Sequence, residues 1–459
     1  MLFLICTAGA SAGPSTHFDT ELYHAQSIRW IEEYGVVKGL GNLMGNYAYN
    51  SAFFSLQALF SMKWLLGRSL RSINGYLNFI MVAYGVLSLK LWNGEWKKSD
   101  LFRIILIAVN MVPDNLSSSS TDRATMLLIL FVILRWVENI EENSKAEDYA
   151  ILCMIAVSAM TFKVSAAFLI LLAVYPIILF VKKKANTRIV FFTVTAVGLV
   201  LPFLVRNVIL SGYLLYPFPY VDFFRVDWKI PMANVISDAN AISVWGKSLQ
   251  FEPEAVQNSG IFVWFPIWFG SLGIFIRTLV LISMMELVLG SVYCLWKIRK
   301  IGWNETGPWL ILHIVNGMCF LYWLFSSPNI RYGKMWVMSS VALAVCMGIE
   351  MLSMIWRKYL NITICKVDRR FMILVGGILV TFLTYKNAVM LLHQNHVIQQ
   401  ADYATYPHEE LVIDGVSFYT TPGSQEVGYY LFPGSPWLNP EKIHLRVEGN
   451  LKEGFHVVD

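Results

Sequence analysis

Apolar residues run in long blocks separated by short polar loops. A block of about 20 such residues is what a helix needs to cross a bilayer. Blocks of that kind lie at Tyr47–Leu66, Ile73–Leu91, Val164–Val181, Ile189–Leu210, Trp309–Ser326, Met335–Trp356 and Phe371–Leu392, with shorter ones at Leu101–Pro113, Ala124–Val137 and Tyr149–Phe162. Ile261–Trp296 is too long for one span and has no polar loop for two. Its Trp264, Pro266 and Trp268 point to an interfacial first part, followed by one span ending near Trp296. Leu2–Ala12 is about half a span and has no basic leader, so it reads as a partial, truncated first helix, with a cleavable leader as the alternative. The pattern predicts an all-α polytopic membrane bundle: residues 1–13 a partial first transmembrane helix, 14–46 a first extracytoplasmic loop, 47–392 the multi-spanning domain with an outer loop at 211–260, and 393–459 an extracytoplasmic C-terminal module.

Lys and Arg near the span ends set the expected orientation. Loops 182–188, 297–303 and 357–370 are rich in them, whereas 211–260 and 327–334, longer in total, hold only Arg225, Lys229, Lys247, Arg331 and Lys334. The first set is therefore expected inside and the second outside, with the C-terminus extracytoplasmic. Arg68 and Arg71 conflict with Lys97 and Lys98 across a single apolar run, so a hairpin or half-span is expected somewhere in 47–113.

Two polar stretches change the picture further. From Glu21 to Tyr34, Leu22, Ala25, Ile28 and Ile31 recur every three residues and form one stripe. This predicts an amphipathic helix on the outer membrane surface, capped by Asp19 or Thr20. In the tail, short runs at Leu411–Ile413, Val416–Tyr419 and Ile443–Val447 between Pro and Gly turns predict a small β-rich module.

Composition narrows the class. Of 459 residues, 56% are apolar and only 15% charged, against about 25% charged in soluble chains. That excludes a disordered protein, a disulfide scaffold and a cytosolic enzyme. The net charge of +5 forms no basic stripe interleaved with aromatics, which excludes nucleic acid as a partner. The six cysteines include no CxxC pair, and no P-loop, GxSxG, HExxH or Rossmann fingerprint occurs in its required context.

Candidate chemistry gathers at the expected outer boundary. Asp19, Glu21 and His24 lie in the first loop, where a carboxylate could take a proton from an attacking hydroxyl; the alternative is a solvated cap and polar face. Asp19 with Glu21 could hold a divalent cation, although two oxygen donors are a weak metal signal. Asp114 and Asp122 flank a Ser run, and Asp122 is either a helix cap or a second carboxylate facing the loop. Lys163, Arg206 and Arg331 sit at span ends, where they either snorkel to headgroups or hold a lipid-linked phosphate. Asn110, Glu286 and His313 lie within spans and read as buried polar contacts between helices.

An Asp in the first outer loop, just after the first span, resembles the GT-C fold of membrane glycosyltransferases. The runs FDTELYHAQSIRWIEEYGVVKGLGNL, PFLVRNVILSGYLLYP, PNIRYG and PGSPWLNPEKIHLRVEGNLKEGF resemble an uncharacterised bacterial family of polytopic proteins placed near those enzymes. The resemblance implies residence in the bacterial inner membrane and a sugar donor on polyprenyl phosphate or diphosphate. It implies a glycan, lipid or protein acceptor and inverting transfer on the extracytoplasmic face. Asp19 matches the first-loop base, and Asp122, before Asp114, the second acidic position. Lys163, Arg206 and Arg331 would bind the leaving phosphate. The Asp-Thr-Glu pattern departs from the paired acidic residues of mannosyltransferases and leaves metal use open. A polysaccharide polymerase or ligase, whose basic residues would lie in the 211–260 loop, and a lipid-linked glycan transporter are the alternatives.

Overall fold

The structure, a computed structural model, describes residues 1–459 except 16, 112–115, 249–258, 360–368, 394–398 and 458–459. It is mostly helical, with two small two-stranded sheets near the C-terminus. Among the described residues, six helical segments are long and apolar enough to cross a membrane: Ile73–Asn93, Val164–Lys182, Asn186–Ser211, Ile274–Ile301, Trp303–Ser326 and Ile330–Met354. The chain is a membrane protein.

In order, the helices are α1 (Leu2–Ala12), a π-helical turn (Thr20–His24) continued by α2 (Ala25–Tyr34), α3 (Leu40–Leu43), α4 (Ala52–Leu59), α5 (Lys63–Leu66), α6 (Ile73–Ser88), α7 (Lys98–Met111), α8 (Thr121–Glu141) and α9 (Ala146–Phe162). A 3-10 stretch, Val164–Ala173, leads into α10 (Val174–Lys182). Then come α11 (Asn186–Ser211), α12 (Met232–Ser248), α13 (Ile261–Ser271), α14 (Ile274–Ile301), α15 (Trp303–Ser326), α16 (Ile330–Tyr359) and α17 (Arg369–His393). Strands β1 (Glu409–Ile413) and β2 (Val416–Thr420) pair antiparallel, as do β3 (Ile443–Leu445) and β4 (Phe455–Val457).

The main apolar core joins α8, α9, the 3-10 stretch, α15 and α16, with Trp136, Trp268, Trp336 and Phe320 fully enclosed. α8 is tied at both ends by charge. At one end it carries Asp122. At the other, Glu138 meets Arg103 at 2.5 Å, and Arg103 also holds Asp100 at 2.7 Å, all three side chains being 2% exposed or less. Breaking such a buried pair costs about 3–5 kcal/mol because a charge is left unpaired.

Two expectations are corrected. Tyr47–Leu66 is not a span. It breaks into a 3-10 turn at Gly45–Ala48, α4, a left-handed Met62 (φ 56°) and α5, which Gly67 (φ 68°) ends. This segment is the sought half-span. Arg71 binds the Ser117 and Ala401 carbonyls, so loop 67–72 lies at the end of the bundle that carries residues 14–46 and the C-terminal module. Lys98 bonds Glu350 at the opposite end, which removes the charge conflict. The Glu21–Tyr34 segment is not a surface helix with a free polar face either. Its stripe packs inward, with Leu22, Ala25 and Ile28 buried, but Glu21, His24, Gln26 and Ser27 are buried too. The C-terminal module covers Glu21 and Gln26, while His24 packs against His17, Tyr23 and Phe54. Gln26 donates to the Gly428 and Leu431 carbonyls, Arg29 to those of Tyr429 and Tyr430, and Tyr47 to that of Gly434. We call this the capped end.

Candidate functional site

Four side chains from four chain segments meet at the capped end, each placed by a helix terminus. The turn at His17–Thr20 brings Asp19 to the head of the π-helical turn, where its carboxylate caps no backbone amide. Ser120 is the N-cap of α8, its hydroxyl accepting from the Asp122 amide, so Asp122 does not cap and its carboxylate is free to face the loop. α9 stops at Lys163, whose backbone is extended (φ −153°, ψ 124°) before the 3-10 stretch begins. Arg331 is the second residue of α16, its amide held by the Asn329 side chain. The first loop is fastened to the α8 start by Ser117, which donates to the Pro14 carbonyl, and by the Ser119 amide, which donates to the Thr20 hydroxyl.

The four groups form one chain of ion pairs. Arg331 Nη2 lies 2.8 Å from Asp19 Oδ2, and Arg331 Nε lies 3.0 Å from Asp122 Oδ2. The other oxygen of Asp122 takes Lys163 Nζ. A guanidinium bridging two carboxylates uses the planar fork that a lysine lacks. Lys163 also stands 3.9 Å from the centre of the Tyr332 ring, whose hydroxyl accepts from Arg331 at 3.0 Å. Two cations and two anions give a neutral set.

Histidines and a tyrosine wall the Asp19 side. His17 Nε2 is 4.0 Å from Asp19 Oδ2, and its ring stacks on His24 at 5.7 Å. Burial lowers the His17 pKa and drives that of His24 to about 3, so His24 stands neutral. Tyr23 packs edge-on against His24 at 4.4 Å, and burial pushes its phenol well up, leaving a neutral hydroxyl. Beyond Tyr23, Tyr49 and Tyr216 each donate to one oxygen of Asp238 on α12, at 2.5 and 2.9 Å.

The sequence-derived candidates divide. Asp19, Asp122, Lys163 and Arg331 are brought together, and His24 borders them. Glu21 is not among them. It is buried against the C-terminal module, with the Val427 and Gly428 amides on its carbonyl and Oε2 without a partner. Burial raises its carboxyl to about 7. Arg206 is not among them either. Its guanidinium donates to Ser55 on α4. Ser51, one turn earlier on the same side of α4, bonds the Phe162 carbonyl beside Lys163. Asp114 lies outside the described residues. His17, Tyr23 and Tyr332 were not singled out from sequence, although His17 is two residues from Asp19 and Tyr332 adjoins Arg331 in PNIRYG. Among the described residues no three His, Cys, Asp or Glu side chains are gathered to hold a metal ion. The set offers instead a carboxylate beside two cations that can be recruited to an anion.

Near the site lies an apolar cavity of ≈400 Å³ walled by Phe262 and Phe265 of α13, Met284 of α14, and Phe320, Leu324 and Phe325 of α15. Phe325 leads directly into the 327–329 turn that sets Arg331.

No curated protein and no solved structure matches the chain. A family profile does, over residues 1–338, and these include every member of the ion-pair chain. The chain belongs to the family described as domain of unknown function DUF8201.

Proposed function

We propose that the protein is a GT-C-like membrane glycosyltransferase that moves a sugar from a polyprenyl-phosphate-type lipid to an acceptor hydroxyl on the extracytoplasmic side of a bacterial inner membrane. The observation that carries this reading is the Asp19–Arg331–Asp122–Lys163 chain, in which a carboxylate and two cations share one spot at a membrane-level helix end. Inverting transfer needs a base on one face of the sugar and a stabilised leaving group on the other. Asp19 accepts the proton of the attacking hydroxyl. Donor binding parts Arg331 from Asp19 so that the sugar stands between them; the C–O bond to phosphate breaks as the new glycosidic bond forms, and the released phosphate takes over Arg331 and Lys163 from Asp122. Tyr332 and Tyr23 offer ring faces and hydroxyls to the sugar. The apolar cavity beside Phe325 is a berth for part of the lipid chain.

In the polymerase or ligase reading the loop cations would serve the site. Lys229 pairs with Asp222 and Lys247 lies over the Trp264 ring, so nothing favours it.

The test is Asp19→Asn, an isosteric change that removes the base. Cells making the variant are expected to accumulate sugar-loaded polyprenyl phosphate in lipid extracts, with the protein still folded in the membrane. Wild-type levels of the lipid-linked sugar and of its product in that variant would remove the assignment.

A further inference from the structure

Away from the capped end, Glu286 on α14 faces His313 on α15, with Glu286 Oε1 against His313 Nδ1. Both side chains are 4% exposed or less and lie within apolar helices long enough to cross a membrane. Charged side chains at membrane depth are costly and rare, so such a pair calls for a role. A polar contact gluing two helices is the plain one.

Three observations go further. Gly290, one turn after Glu286, makes the pair possible: a Cβ there would stand 2.5 Å from His313 Nδ1 and 2.9 Å from Glu286 Oε1. Second, the contact leaves acceptor capacity unused, since Glu286 Oε2 is buried without a partner. Third, His313 borders a cavity of ≈20 Å³, room for about one water. That cavity lies toward the end of the bundle opposite the capped end. Lys98, Lys297 and Glu350 line it there, each about one-fifth to one-third exposed. Thr306 Oγ1, also without a partner, lies on its wall. The groups facing the pair and the cavity are Lys98 from α7, Tyr293, Cys294 and Lys297 from α14, Thr306 and Trp309 from α15, and Cys346 and Glu350 from α16.

We propose that Glu286 and His313 form a proton-binding dyad inside the membrane-spanning bundle, loaded and unloaded through this cavity from the Lys98–Lys297–Glu350 end. The ligand is a proton. It arrives on water at His313 Nε2 or passes on to the carboxylate, and it leaves by the same route, so the dyad gains and loses one positive charge. The inference does not rest on sugar transfer.

The test is infrared difference spectroscopy of the full-length protein in lipid nanodiscs perfused with buffers of changing pH. Wild type is expected to show, beside the signals of its exposed carboxyls and of Glu21, a high-frequency sheltered-carboxyl band and an imidazole band that change reversibly with bulk pH. Those bands are lost in Glu286→Gln and in His313→Gln, and kept in Glu21→Gln and in Asp19→Asn. Thr306→Val, which removes a hydroxyl from the cavity wall, is expected to slow their exchange in deuterated buffer. In Glu21→Gln, a spectrum with no pH-dependent band at the high frequency of a sheltered carboxyl would overturn the proposal without reference to the folding of either dyad variant. A sheltered-carboxyl band of that protein that survives both Glu286→Gln and His313→Gln would overturn it too, leaving the pair as a fixed link between α14 and α15.

Discussion

Asp122→Asn is the sharpest probe of the ion-pair chain, because Asp122 holds both cations. Its side chain is 10% exposed, against 28% for Lys163 and 41% for Arg331. Charge-assisted hydrogen bonds contribute about 1.5–3 kcal/mol when sheltered, and exposed pairs less than about 1 kcal/mol. The Lys163 contact belongs at the lower edge of the first range, about 1.5 kcal/mol. The Arg331 contact, more exposed, is screened to about 0.5 kcal/mol. Asp122→Asn is therefore expected to destabilise by about 2 kcal/mol. Lys163→Met is expected to cost about 1.5 kcal/mol, and the double variant little more than Asp122→Asn alone, a coupling of about 1–1.5 kcal/mol. The assay is reversible unfolding in mixed micelles of rising SDS fraction, followed by tryptophan fluorescence for the four members of the cycle. Single effects within about 0.5 kcal/mol of wild type, or additive effects, would refute the reasoning, since uncoupled surface charges behave that way.

Glu21 predicts a pH dependence of stability. Its folded pKa, about 7, lies above the unfolded 4.5. The folded state thus binds more protons between those values, and the stability it lends is full below about pH 4.5 and lost as pH rises through about 7. The span of about 2.5 units corresponds to roughly 3 kcal/mol. His17 and His24, lowered by burial, act oppositely, losing stability as pH falls below 6.5. The difference between wild type and Glu21→Gln isolates the carboxyl, and a difference that stays constant with pH would contradict it. Gly454→Ala is expected to loosen the C-terminal module by about 2–4 kcal/mol. Gly454 has φ 94°, and a Cβ there would collide with the Lys38 carbonyl that receives the Phe455 amide. Faster proteolysis of the module in the variant, with the bundle intact, is the readout; wild-type resistance would show that the contact does not hold it.

Which of these features were legible in the sequence follows from how local their causes are. Long apolar blocks mark most of the bundle because burial in lipid is decided within each block. Tyr47–Leu66 passes the same criterion yet turns at Met62, a conformation that no composition signals. Asp122 and Lys163 could be nominated because charged residues at span ends are rare. Arg206 met the same criterion, and only the structure shows its guanidinium donating to Ser55 and not to a carboxylate of the chain. The burial of Glu21 and His24 could not be read from their own helix, whose period left them on its polar face. The residues that cover Glu21 lie about 400 positions later, and His24 is enclosed by His17, Tyr23 and the distant Phe54 of α4.

That separation bears on how the protein is made. Gln26 finds its acceptors at Gly428 and Leu431, so the first soluble segment leaves the ribosome long before its partners exist. Through most of synthesis its polar groups must stay hydrated or be held by a chaperone. The capped end can close only after the last helices have inserted. Covering of the first loop is then a terminal event of biogenesis, and chains arrested late in translation would already hold all four members of the ion-pair chain while the Gln26 side chain stays unburied.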